Sequence, residues 1–185
     1  EGNATGIKNL VKNKPEIDYA IFGEPSSIQK VTIAYKGRLA INLKISVENS
    51  AHASAPWLAK NAIEETAIVV KDLKNNLEDG QENKTKGMML TASLTEIRGG
   101  TSHNITPKEC IATIDIRIPV DMNCNSVEEK ITTSINEISS KRGIEILYSV
   151  VDETEPFEAA HNSALVRSIT LAVLDVEQKR PTLIR

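Results

Sequence analysis

The fold is indicated most directly by residues 39–47, LAINLKISV, in which apolar and polar side chains alternate. Because successive side chains of a strand point to opposite faces of a sheet, this alternation predicts a strand with one buried face. A shorter alternating run, residues 31–35, precedes it, and Lys36, Gly37 and Arg38 separate the two. The stretch therefore predicts a hairpin or one long bent strand at the start of a sheet.

The period of the pattern changes after Pro56. Side chains suited to a buried stripe then recur every three or four residues, which predicts an amphipathic helix of about five turns. They are Leu58, Ala62, Thr66, Val69, Leu73 and Leu77. A second helix is predicted to begin with Ser126 as its N-cap and Glu129 completing a capping box, and to end at Gly143. Further alternating runs predict three more strands, at residues 88–94, 110–118 and 144–150.

The predicted order is therefore strand, helix, strand, strand, helix, strand. That order is typical of an α+β fold, the ferredoxin-like βαββαβ sandwich, in which two helices cover one face of an antiparallel sheet. We assign the sandwich to residues 29–154. Residues 1–28 and 155–185 are interpreted as pieces of an α/β domain into which the sandwich is inserted, since short helices alternate there with short strands. The helices are expected at residues 4–13 and 163–176, and the strands at 19–22 and 182–184.

Composition excludes several classes of protein. The chain has 185 residues, a net charge of −3 and only 3% aromatic residues, so it lacks the basic groove and the stacking platforms of a nucleic-acid-binding protein. Its two cysteines form neither a disulfide framework nor a zinc ribbon, which favours a reducing compartment. No apolar run is long enough to predict a membrane span. We therefore expect a cytoplasmic protein with no nucleic-acid or membrane partner.

Three clusters of loop residues place side chains that can take part in catalysis or ligand binding beside Gly or Pro. The first is residues 22–26, FGEPS, which holds Glu24 just past a predicted buried strand, and the second is residues 50–56, SAHASAP, which holds His52 between a strand and a helix. Ligands collect at such strand ends because loops project there from a rigid base. Each residue also has a simpler interpretation, since Glu24 can be a solvated turn residue and His52 an exposed loop histidine.

The third cluster is residues 98–107, RGGTSHNITP, followed on the next strand by Arg117. Paired glycines permit close approach of the backbone, Asn104 can donate and accept hydrogen bonds, and Arg117 can clamp a carboxylate. The same residues can equally form an ordinary turn beside a solvated strand face. His103 and His161 have no partner at metal-ligand spacing, so neither is expected to be functional.

Taken together and in this order, the three clusters resemble the middle section of an enzyme of the M20 metallopeptidase family. Members of that family have a two-metal α/β catalytic domain interrupted by a ferredoxin-like lid or dimerisation domain. The residues 23–27, GEPSS, and 33–39, IAYKGRL, are most similar to the archaeal branch of lysine and arginine biosynthesis. Enzymes of that branch release lysine or ornithine from an amino-group carrier protein. The chain is thus expected to be a central fragment of a longer enzyme, and to be inactive in isolation because the general base and several metal ligands have no counterpart in it.

The resemblance implies a role for each candidate residue. Glu1 and Glu24 match metal ligands, and His52 matches the lid histidine that, in dimeric members, reaches the partner subunit's active site. Asn104 and Arg117 match positions thought to contact substrate. The family has a Gly before the lid histidine that this chain lacks, and Asn49 can adopt the same backbone conformation.

The resemblance also implies cofactors, partners and activity. It implies two zinc ions, with cobalt as an alternative, a homodimer formed through the lid, and hydrolysis of an amide or isopeptide bond. The substrate would be an N-acyl amino acid or the amino-group carrier protein. An alternative from another class is a free-standing ferredoxin-like module that dimerises or binds an amino acid for regulation. Such a module would need neither the Glu-Pro-Ser turn nor the flanking helices.

Overall fold

The computed structural model describes three stretches of the chain, residues 5–13, 15–23 and 27–184. The chain divides into two units, one of residues 35–157 and one of residues 1–34 with 158–185. The expected domain boundaries, after residues 28 and 154, stay a prediction. Glu1 and Glu24 lie outside the described residues. In chain order the elements are α1 (Thr5–Lys12), β1 (Lys30–Thr32), β2 (Ala34–Tyr35), β3 (Gly37–Ser46), α2 (Ala62–Glu78), β4 (Thr91–Gly99), β5 (Glu109–Ile118), α3 (Cys124–Arg142), β6 (Glu145–Thr154), β7 (Phe157–Glu158), α4 (Ala164–Glu177) and β8 (Thr182–Ile184).

The larger unit confirms the predicted α+β sandwich. Its sheet has the order β4-β5-β3-β6 with every neighbouring pair antiparallel, as in a ferredoxin-like fold. The alternating run of β3 places Leu39, Ile41, Leu43 and Ile45 on the face that α2 and α3 cover, and all four are fully buried. Burying each such side chain contributes about 1.5–3 kcal/mol. The core is therefore aliphatic, which fits the low aromatic content.

The ends of the sandwich helices are fixed by polar side chains. The side chain of Asn61 caps α2 by accepting the N–H of Ile63 at 3.0 Å. The predicted N-cap of α3 is wrong: the cap is Asn123, and Ser126 is the third residue of its capping box. Both residues suit an N-cap, and the helix begins one turn earlier because Cys124 and Val127 are then buried in the core. Gly143 ends α3 with a left-handed φ of 58°, as predicted. None of the helices in the described stretches combines the length and apolarity needed to cross a membrane.

The smaller unit contains α1, β1, α4 and β8, and the boundary between the two units passes through β2 and β7. Strands β1 and β8 pair in parallel, and Ser163 caps α4 by accepting the N–H of Val166. The predicted strand at residues 19–22 is wrong, since this segment is irregular and its large apolar side chains are exposed. A strand needs a neighbour to satisfy its backbone hydrogen bonds, and none pairs with this segment in the described part of the chain.

Candidate functional site

The loops that carry His52 and Asn104 are joined to each other at one end of the sheet. Strand β3 ends there and its antiparallel neighbour β5 begins there, and the Val47 N–H donates to the carbonyl of Lys108 at 2.9 Å, just past the last paired residues. Farther out, His52 forms an isolated antiparallel bridge with Ile105, and the Ala53 N–H donates to the Asn104 carbonyl at 2.8 Å. The structure therefore brings together two candidate residues that lie 52 positions apart in the sequence.

A buried threonine holds the two loops at a fixed distance. The Thr106 N–H donates to the Ala51 carbonyl, and the Thr106 hydroxyl oxygen accepts the Ala51 N–H, both at 2.8 Å. Both residues are buried, while His52 next to them is exposed. The backbone on one side of His52 is thus anchored inside the protein, and the imidazole projects from it.

The imidazole of His52 has a close local partner. Its Nδ1 lies 2.8 Å from the hydroxyl oxygen of Ser54, and the Ser54 N–H donates to the same nitrogen at 3.2 Å. A turn in which the Ala55 N–H donates to the His52 carbonyl at 2.8 Å brings Ser54 into place. These contacts leave Nε2 as the ring nitrogen that faces outward.

Asn104 is half-buried and is oriented by its neighbour. The Ser102 hydroxyl donates to Asn104 Oδ1 at 2.6 Å. Within the described residues no acceptor lies within hydrogen-bonding reach of the Asn104 side-chain N–H groups. The amide of Asn104 can therefore donate to a bound molecule.

The Asn104 loop leads into β5, and Arg117 lies near the other end of that strand. The eight steps along the chain from Glu109 to Arg117 span roughly 27 Å of extended strand. Arg117 faces the side of the sheet opposite to α2 and α3, and its Nε donates to Asp115 Oδ1 at 2.6 Å. Within one chain, His52 and Asn104 form one site and Arg117 lies apart from it.

Arg117 belongs to a network of charged side chains on the face of the sheet opposite to α2 and α3. Arg38, directly opposite it on β3, donates to Asp115 at 2.6 Å and to Asp152 at 2.8 Å. Hydrogen bonding to Asp115 is the largest cause that raises the pKa of Arg38. Burial, and then the charge of Arg117, lowers the pKa of Lys36, whose ammonium donates to the carbonyl of Met89 at 2.6 Å. Asp115 and Asp152 together thus offset the charges of two arginines that would otherwise repel each other across the strands.

A groove of about 940 Å³ opens beside the His52 loop, between the start of β6 and the short 3-10 helix Pro56–Leu58. Trp57 and Lys60 line it, and Trp57 is 79% exposed. The Lys60 ammonium donates to the carbonyls of Arg142 and Gly143 at the end of α3. The Lys60 ammonium thus links the segment that follows the His52 loop to the end of α3, where the helix dipole favours a cation.

The sequence did not reveal Thr106 or Lys60. Their partners lie 55 and 82 positions away in the sequence, so no local spacing could have indicated them. Their types, a threonine before a proline and a lysine before a helix, are common in loops.

The predicted metal ligands cannot be placed, because Glu1 and Glu24 lie outside the described residues. Among the residues that are described, no three His, Cys, Asp or Glu side chains come together in a way that could hold a metal ion. His161 lies 3.2 Å from Glu158, and neither belongs to such a group. Carboxylates are among the ordinary ligands of zinc, so the two glutamates fit the role by their chemistry alone.

Comparison with known proteins agrees with this geometry. The M20 peptidase dimerisation domain model matches residues 33–142, more than half of the chain. A [LysW]-lysine/[LysW]-ornithine hydrolase of Saccharolobus solfataricus is 26% identical over all 185 residues, which are 48% of that protein. A protein of the same name from Saccharolobus islandicus is 28% identical over the same share. The chain thus spans about half the length of the curated relatives it matches.

Two solved structures support the fold. An aminopeptidase PepT from Bacillus cereus superposes with a TM-score of 0.76 at 18% identity, over 100% of this chain and 47% of that one. A tripeptidase from Staphylococcus aureus gives a TM-score of 0.74 at 20% identity, over 97% and 46%. Since the dimerisation-domain model covers the whole first five elements of the sandwich, the chain belongs to the M20 peptidase dimerisation domain family.

Proposed function

We propose that this chain is the central part of a metal-dependent amidohydrolase that releases lysine or ornithine by hydrolysing an amide or isopeptide bond. The observation that carries the proposal is the pairing of the His52 and Asn104 loops at one end of a dimerisation-family sandwich. The names of the relatives, which describe hydrolases of LysW-linked lysine and ornithine, supply the substrate class. An N-acyl amino acid or an amino-group carrier protein would be the substrate.

His52 is proposed to stabilise the negative charge that develops on the carbonyl oxygen of the substrate. Its exposed ring and outward Nε2 suit a hydrogen-bond donor. Losing one such donor typically costs about 100-fold to 1000-fold in turnover. Asn104, whose amide is free to donate within the described residues, would bind the same molecule.

The distance between His52 and Arg117 supports an active site shared by two subunits. A small amino-acid substrate cannot reach both side chains of one chain, because the stretch of β5 from Glu109 to Arg117, which lies between them, alone spans roughly 27 Å. They can meet at one substrate only if they come from different subunits. We therefore propose that His52 and Asn104 serve the partner's active site, and that Arg117 binds a substrate carboxylate in a bidentate manner.

The edge of the sheet is the proposed dimer contact. Strand β4 ends the sheet, and no strand covers its outer side in the described part of the chain. Leu94 and Ile97 of β4 are 43% and 45% exposed, and Ile63 of α2, which lies against Gly99, is 37% exposed. An apolar edge strand of this kind can extend the sheet across a two-fold axis.

Glu1 and Glu24 are proposed as ligands of two divalent ions, most simply zinc, in the complete enzyme. When bound, such ions polarise the amide and lower the pKa of a coordinated water to near neutrality. The role of this chain's glutamates is to hold the ions, and that of His52 is to donate to the substrate oxygen.

Two measurements test the proposal. The isolated chain, incubated with zinc and an N-acyl-lysine or N-acyl-ornithine, should show no turnover. In a full-length enzyme that carries this sequence, His52→Ala should lower kcat about 100-fold or more and leave the metal content unchanged. His103→Ala, in the same loop region but without a proposed role, is the matched control.

Three results would contradict the proposal. Turnover by the isolated chain would show that the missing ligands are not needed. Loss of metal in His52→Ala would make His52 a ligand. Tight binding of free lysine or ornithine by the isolated chain, with full activity of the His52→Ala enzyme, would instead favour the regulatory module.

A further inference from the structure

The contacts of His52 Nδ1 define which ring nitrogen carries the proton. The Ser54 backbone N–H points at Nδ1 from 3.2 Å, and the Ser54 hydroxyl oxygen lies 2.8 Å from it. A backbone N–H can only donate a hydrogen bond. Nδ1 must therefore accept, which requires its lone pair to be free.

A neutral imidazole carries a single ring proton, on one nitrogen or the other. If Nδ1 is the acceptor, the proton lies on Nε2, and the hydroxyl of Ser54 adds a second donor to Nδ1. The alternative tautomer would place a proton on Nδ1 directly opposite the Ser54 N–H. It would also present the lone pair of Nε2 to any molecule outside, and a lone pair repels a negatively charged oxygen.

We propose that Ser54 is a positioning residue that holds neutral His52 in its Nε2–H tautomer. The inference rests on the proposed role of His52 as a donor to the substrate oxygen. The turn closed by the Ala55 N–H and the His52 carbonyl, at 2.8 Å, keeps Ser54 within reach of the ring. Ser54 thereby makes Nε2 a donor and prevents it from acting as a base.

The tautomer is measured directly by the 15N chemical shifts of the histidine rings in the whole 185-residue chain, at a pH at which the imidazoles are neutral. His52→Gln assigns the His52 signals. His103 is the internal reference, because it is exposed and within the described residues no side chain fixes its ring. We expect a larger Nε2–H fraction at His52 than at His103, a smaller excess in Ser54→Ala, and restoration of the excess in Ser54→Thr. Equal fractions at the two histidines, or a fraction at His52 that Ser54→Ala leaves unchanged, would overturn the inference.

Kinetics of a full-length enzyme give a second test. Ser54→Ala should lower kcat about 10-fold with little change in KM, because about 10-fold in rate corresponds to the loss of one ordinary hydrogen bond. Ser54→Thr, which keeps the hydroxyl, should restore kcat. A loss of kcat that Ser54→Thr does not restore would contradict the inference. The tautomer assignment and the proposed function of His52 can fail separately. If the ring shifts are as expected but His52→Ala keeps full activity, the tautomer assignment stands and the proposed function of His52 is wrong.

Discussion

At the scale of single residues, Thr106 is the side chain on which the shape of the site depends. In Thr106→Val the side chain keeps its size but loses the oxygen that accepts the Ala51 N–H. A buried donor without a partner costs about 1–3 kcal/mol, so the free energy of unfolding should fall by that amount in urea titrations. Thr106→Ser, which keeps the oxygen, should lose less. Equal stability of the valine variant and the wild type would show that the Ala51 N–H finds another acceptor.

Cys124, at the start of α3, is predicted to be chemically inert. Burial, followed by the nearby Glu155 carboxylate, raises the pKa of the thiol to about 11. Because only the thiolate reacts, roughly one molecule in a thousand is reactive at about pH 8. Iodoacetamide should therefore leave Cys124 unmodified in the native protein and label it in guanidinium chloride, as read by peptide mass. Rapid native labelling would mean that the thiol is accessible and ionised.

The sequence was sufficient to select His52 and Asn104 but not to show that they meet. Both stand in loops beside Gly, Ala or Pro, where chemistry is common. Their contact depends on the antiparallel pairing of β3 with β5, which is a property of the sheet. Arg117, in contrast, does not meet the other two residues within one chain. It was selected from the same pattern, and the length of β5 separates it from the other two.

At the scale of secondary-structure elements, β4 with the adjoining flank of α2 is the proposed dimer contact. Ile97→Glu places a charge in this exposed apolar surface, so it should shift the protein from dimer to monomer in sedimentation velocity. Leu147→Glu is the matched control, since Leu147 is 55% exposed on β6 at the opposite edge of the sheet. A wild-type chain that is monomeric at high concentration would contradict the proposal. So would dissociation by the Leu147 variant alone.

Elements with strong periodicity were predicted well, and those without it were not. The structure confirms the buried face that alternation predicts for β3 and β5, and the stripe of α2 from Ala62 to Leu77. Leu58 was wrongly included in that stripe, since it lies before α2 in the 3-10 helix and is 72% exposed. Residues 19–22 show why the rest failed. Their apolar run predicts a buried strand, yet Tyr19, Ile21 and Phe22 are each more than 60% exposed. A local pattern predicts burial only where a neighbouring surface exists to pack against.

At the scale of the whole molecule, the sandwich and the smaller unit, which flanks it in sequence, differ in how many of their side chains are buried. The sandwich has a continuous core of 20 buried side chains. In the smaller unit α1 buries no residue, and the only buried residue of α4 is Val166. The order of elements was predictable for the sandwich because its strands and helices complete a known layer arrangement. The smaller unit provides no such arrangement, and its predictions succeed unevenly: the strand expected at residues 182–184 is confirmed, whereas the one expected at 19–22 is wrong.

His52 is proposed to act in the active site of the partner subunit, and exchange of subunits between two variants tests this role. In a full-length enzyme carrying this sequence, His52→Ala alone should lower turnover about 100-fold or more by removing the donor, and Glu24→Ala alone should lower it by removing a proposed metal ligand. Mixing the two variants and letting their subunits exchange produces dimers that hold one of each. In such a dimer, the site with intact ligands receives His52 from the Glu24→Ala subunit.

Turnover of the exchanged mixture shows which subunit's active site His52 serves. We expect recovery to about a quarter of the wild-type value, because random exchange makes half of the dimers mixed and each mixed dimer has one complete site. If His52 served its own subunit, no dimer in the mixture would contain a complete site. Turnover that stays at the level of the separate variants, in a mixture shown by mass to have exchanged, would contradict a role of His52 in the partner's active site.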